Sequence, residues 1–128
     1  MIRCALLAAA LVAGFAHLPV AAQAARNFPA SALRGELVVT APPELLLNKQ
    51  PARLAPGARI RDTHNMLVMS GAVIRQRLLV NYTLDLQGQL LEVWLLNPAE
   101  AARNPWPTTP QEAAAWTFNP DTQTWSRP

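Results

Sequence analysis

"LLVNYTLD" (residues 78–85) and "LLEVWLLN" (90–97), joined by Leu86-Gln87-Gly88-Gln89, decide how the chain is read. In the first run Val80, Tyr82 and Leu84 alternate with Asn81, Thr83 and Asp85, the period-two pattern of a strand with one face in a core. In the second, Leu91, Val93 and Leu95 make the expected buried row. The opposite row, Leu90, Glu92, Trp94 and Leu96, is too apolar for open water. Trp94 is therefore either covered by the C-terminal segment or part of an exposed contact surface.

Working upstream, "ELVVT" (36–40) is β-branched and stops at Ala41-Pro42-Pro43, since proline removes a ladder donor. "ELLL" (44–47) meets "PARL" (51–54) through Asn48-Lys49-Gln50, which predicts a hairpin. Pro56-Gly57 suits the centre of a type II turn, after which "ARIR" (58–61) returns as a separate strand. "NMLVM" (65–69) and "AVIRQ" (72–76) flank Ser70-Gly71 as another tight turn. So many short strands without a helix between them predict a mainly β domain over residues 25–97. The expected form is a small antiparallel barrel or sandwich of OB-like or SH3-like size.

Residues 98–128 differ in character. "NPAE" (97–100) and "TPQE" (109–112) each set an N-cap residue, a proline and a glutamate in capping-box order, predicting short helices near 98–103 and 110–115. "WTFNPDTQTW" (116–125) reads as a hairpin around Asn119-Pro120-Asp121, with Trp116, Phe118 and Trp125 as apolar anchors. Such short elements need something to pack on. The tail is expected to fold over the barrel at Trp94.

The first 24 residues have the three parts of a secretory signal peptide: Arg3, the apolar run of residues 4–16, and small residues ending in Ala22-Gln23-Ala24. The apolar run is shorter than the roughly 20 residues that span a bilayer. Cys4, the single cysteine, lies within it, so the mature chain would carry no disulfide. A periplasmic or secreted location follows as the expectation. Without Arg3 the charges are ten basic and eight acidic, a net +2. That balance argues against nucleic acid, which calls for a larger and more concentrated excess.

Candidate chemistry is sparse. "RLAPGARIRD" (53–62) sets Arg53, Arg59 and Arg61 about a Pro-Gly pair, and strand alternation puts Arg59 and Arg61 on one face and Arg75 and Arg77 on another. If those strands adjoin, the five arginines make a basic stripe able to hold carboxylate or phosphate through bidentate contacts. Asp62, His64 and Ser70 are the residue types of a hydrolytic triad, but one short strand and turn offers neither cleft nor oxyanion hole. The scattered acids give no sign of a glycosidase pair.

His64, Met66 and Met69 supply imidazole and thioether, ligands suited to Cu(I). "HNMLVM" (64–69) resembles, in composition, the His and Met ligand set of small periplasmic copper and silver chaperones of OB type, which also use a nearby Trp. Those proteins space their methionines two apart, whereas Met66 and Met69 are three apart, and core packing is the simpler expectation for both. Over most of the mature chain, from "LRGELVVTAPPELLLNKQPARLAPGARIR" to "LLVNYTLDLQGQLLEVWLLNPAEAA", the sequence resembles small exported proteins of proteobacteria to which no activity is attached. The expected function is a non-enzymatic exported domain that binds or scaffolds an anionic ligand or an acidic protein or envelope partner. Arg53, Arg59, Arg61, Arg75, Arg77 and Trp94 are its candidate contact residues. No cofactor is expected, and a copper protein using His64, Met66 and Met69 is the alternative.

Overall fold

The computed structural model describes residues 24–128 and Gly14, so the expected signal segment falls almost wholly outside the described residues. Six strands form the main sheet: β1 (Leu33–Ala41), β2 (Glu44–Leu47), β3 (Gln50–Arg61), β4 (Leu67–Val68), β5 (Leu78–Leu84) and β6 (Leu90–Leu95). Two short helices follow, α1 (Pro98–Ala101) and α2 (Pro110–Ala115), then a hairpin of β7 (Thr117–Asn119) and β8 (Thr124–Ser126). A single 3-10 turn, Ser70–Val73, stands between β4 and β5.

The sheet order β2-β1-β5-β6-β3 closes on itself through β2–β3 pairing, making a five-stranded barrel with β4 as a short appendage on β3. Four of the closing pairs are antiparallel, but β3 and β6 run parallel. The expected barrel is therefore present, though not wholly antiparallel. Its strand connectivity is that of the OB-type Greek-key barrel.

Alternating residues fill the interior: Leu37 and Val39 from β1, Leu45 from β2, Leu54 and Ile60 from β3, Val80 and Tyr82 from β5, Leu90 and Val93 from β6. Each fully buried aliphatic side chain contributes roughly 1.5–3 kcal/mol. Gly35 on β1 allows the β2–β3 turn to come close, since a Cβ there would stand 3.0 Å from Leu47 and 3.1 Å from the Asn48 side chain.

Three strand expectations are corrected. Pro56-Gly57 does not reverse the chain; β3 runs through it, and five steps along β3 (Leu54 to Arg59) match two along β6 (Leu90 to Glu92). Gly57, with φ +78°, lets the extra residues bulge outward. In β6 the row is shifted as well, because two steps on β5 (Tyr82 to Leu84) face three on β6 (Val93 to Leu90). Leu90 is thereby buried and Leu91 exposed, the reverse of strict alternation. "AVIRQ", finally, is no strand: Ala72 and Val73 belong to the 3-10 turn, and Ile74 makes one isolated bridge to Val39.

A second core lies on the barrel's outer surface. Phe28, Ala32, Trp106 and Trp125 are buried there, with Trp94, Leu96, Trp116 and Phe118 packed against them. Phe28 meets Trp94 edge-on at 5.4 Å and Trp106 at 6.0 Å; Trp106 in turn meets Trp125 at 6.1 Å. The tail, joined by Phe28 and Ala32 from residues 25–34, which carried no expected role, thus covers Trp94 and Leu96 of the row that was too apolar for water, while Leu90 of that row lies in the barrel interior.

Candidate functional site

Arg26, Arg34 and Glu100 form the most heavily bonded charged cluster among the described residues. Its sequence position hides it, because Arg26 and Glu100 are 74 residues apart. Glu100 stands at N3 of α1 and completes the capping box with Asn97. The Arg26 guanidinium meets its carboxylate through Nε at 2.8 Å and Nη2 at 2.7 Å, and the Arg26 backbone N–H donates to it at 2.8 Å. Arg26 also donates to the carbonyls of Asp62 and Leu95.

Burial pushes the Glu100 carboxyl up, but hydrogen bonds from Arg26 and the Asn97 backbone outweigh it, so its pKa lies below the ordinary value. Arg34 donates to the carbonyls of Glu100 and Arg103 at the end of α1 and lies over the Trp106 ring at 5.0 Å. Burial, aided by the Arg103 charge and opposed by Glu100, brings Arg34 down to about 10, so it stays charged at neutral pH. These bonds, made within the molecule, make the cluster a fastening of the N-terminal segment to α1.

The arginines of the expected stripe divide into separate groups. Arg53 pairs with Glu44, its cross-strand partner, at 3.1 Å. Arg61 donates to the Asn65 carbonyl within its own turn, and exposed Arg59 stands in register with Glu92 on β6. Arg75 and Arg77 lie in the connection into β5 and not on a strand beside β3, so the single basic stripe does not form.

Arg75 and Arg77 instead share a depression of about 350 Å³ with Glu36, Val38, Leu46 and Lys49. All three cations are exposed, and among the described residues none makes an ion pair. The backbone holds two of them in unfavourable left-handed conformations, Lys49 at φ 66° and Arg75 at φ 65°. Arg75 is clamped by its N–H donating to the Val39 carbonyl at 2.8 Å. The Lys49 turn is docked on β1 through Asn48, which exchanges hydrogen bonds with the Glu36 backbone at 2.8 and 2.9 Å. Three cations against one carboxylate leave the depression net positive.

No family model, curated protein or solved structure matches the chain. Lys49 was not among the candidate residues; its one signal was a lysine at a turn position where glycine fits better.

Trp94 is half-buried in the aromatic cluster, the covered one of its two expected settings. Met66 and Met69 are exposed by 64% and 83%, which overturns the core-packing expectation. His64 and Met66 sit on one turn whose backbone N–H groups both donate to the same Asp62 oxygen, at 2.8 and 3.0 Å. Those bonds, the one from Met66 foremost, hold the Asp62 carboxyl below its usual range and occupy it structurally. His64 lines a hollow with Ala24, Arg26, Thr63 and Asn65, while Ser70 and Met69 line another beneath β4. Among the described residues no three His, Cys, Asp or Glu side chains are grouped to hold a metal ion.

Proposed function

We propose that this protein is an exported, non-enzymatic binding domain, periplasmic or secreted, that holds an anionic group of an acidic protein or cell-envelope partner in the Lys49, Arg75 and Arg77 depression. The observation that carries the reading is that three unpaired cations line one hollow, two of them on left-handed backbone. Guanidinium groups favour planar, bidentate recognition of carboxylate or phosphate, and Val38 and Leu46 give the hollow an apolar floor.

The test is binding of inorganic polyphosphate and of a polyglutamate peptide to the exported chain, followed by calorimetry at low and high salt. Binding should weaken as salt rises, and by about tenfold, or ~1.4 kcal/mol, in the Arg75→Ala/Arg77→Ala variant. Arg53→Ala, whose side chain is already paired, should bind as wild type. Binding that ignores both salt and the double substitution would refute the site.

A soft-metal reading stands second, favoured by the exposed thioethers of Met66 and Met69 near His64 in the chain. Anaerobic Cu(I) titration decides it. Stoichiometric binding lost in His64→Ala would support it, and no binding would remove it.

A further inference from the structure

β4 is the one strand of the main sheet with a single neighbour: it pairs with β3 and its other edge faces no strand among the described residues. It also lies within the densest exposed apolar stretch, where Met66, Leu67 and Met69 are 64%, 65% and 83% exposed. Three large apolar side chains left in water within four residues run against the ordinary economy of a small domain's surface. Methionine adapts its shape to a partner more readily than a branched residue does.

Along the β3–β4 pair lies a groove of about 320 Å³, formed by Leu54, Ala58 and Ile60 of β3 with Leu67, Val68 and Met69. Arg59 is the single charged residue lining it. The surface around β4 therefore combines an apolar trough, one cation and a strand edge without a neighbour among the described residues. An extended peptide satisfies all three at once: backbone groups pair with the edge, an apolar side chain enters the trough, and a carboxylate meets Arg59.

We propose that β4 and this groove are a second docking surface, taking an extended segment of a partner protein that presents an apolar and an acidic residue two positions apart. The spacing follows from strand geometry, since residues i and i+2 share a face. This surface is lined by different residues from the Lys49, Arg75 and Arg77 hollow, and either can fail without the other.

The experiment is fluorescence anisotropy with a labelled pentapeptide of high β propensity carrying leucine and glutamate two residues apart, and with its lysine-for-glutamate counterpart. Saturable binding of the glutamate peptide is expected. It should weaken about tenfold in Arg59→Glu, where the lysine peptide should gain affinity, and by a similar factor in Leu67→Glu. Both substitutions replace exposed side chains, and the exchanged preference of Arg59→Glu cannot arise from misfolding. N-methylation of the peptide backbone should also weaken binding, because it removes a ladder donor. The proposal is overturned if neither peptide binds at about 1 mM, or if binding ignores both substitutions. It is equally overturned if the chain self-associates in sedimentation and Leu67→Glu abolishes that, for the occupant would then be a second copy.

Discussion

Glu100 has no solvent-exposed side-chain surface, and Arg26 has little. Removing one partner of such a pair leaves an uncompensated buried charge, typically at a cost of about 3–5 kcal/mol. Arg26→Ala should therefore lower stability by ~3 kcal/mol or more at neutral pH, read from urea denaturation. The pH dependence has a definite sign. Because the folded Glu100 pKa lies below its ordinary value of 4.5, the pair's contribution is complete above that pH and is lost as pH falls through the depressed folded value. The difference between wild type and Arg26→Ala should accordingly shrink on acidification. A constant difference down to pH ~2 would contradict this account. No local pattern could have shown the pair, because Arg26 and Glu100 are brought together by the whole intervening barrel.

The helix caps and the β2–β3 turn were the most legible elements, for they depend on neighbouring residues alone. Both N-caps form: Asn97 accepts the Glu100 N–H at 2.9 Å, and Thr109 accepts the Glu112 N–H at 3.1 Å. Only the first closes reciprocally, because Glu112 takes up the Thr108 hydroxyl instead. Thr109→Ala should cost about 1 kcal/mol, measured by thermal denaturation. The β2–β3 hairpin carries a sharper prediction. Asn48 and Lys49 both have positive φ, as a type I′ turn requires, and Asn-Gly is the preferred pair there. Lys49→Gly should leave stability unchanged or raise it by up to about 1 kcal/mol while weakening polyphosphate binding several-fold. A stability gain with undiminished binding would show that the lysine serves neither fold nor ligand. The bulges at Gly57 and in β6 were not legible, since an extra residue is accommodated according to the partner strand's register and not according to its own sequence.

At the scale of the molecule, two cores share one barrel wall. The inner core is closed by the β3–β6 pairing, and the outer one by aromatic side chains from both ends of the described chain. Phe28→Ala and Trp125→Ala should each cost about 3–5 kcal/mol. Both pack on Trp106, so the double variant should fall short of their sum, as shared-cluster coupling demands. Simple additivity in a double-mutant cycle would show that the N-terminal segment and the tail stabilise the barrel independently.

Strand alternation, proline stops and capping order, which are local, were enough to establish a mainly β chain with two short helices and a terminal hairpin. They could not say which strand neighbours which. The parallel closure of β3 on β6 is settled by contacts between residues far apart in the chain, and it sent Arg59 and Arg61 to a different part of the surface from Arg75 and Arg77. The same tertiary packing joined Lys49 to the last two and exposed Met66 and Met69. It also buried Asn81, to whose side chain Arg34 donates. Which side chains meet at a surface depends on strand order and register. Those arise from packing the whole core at once, whereas a single strand's pattern states only which of its faces is to be hidden.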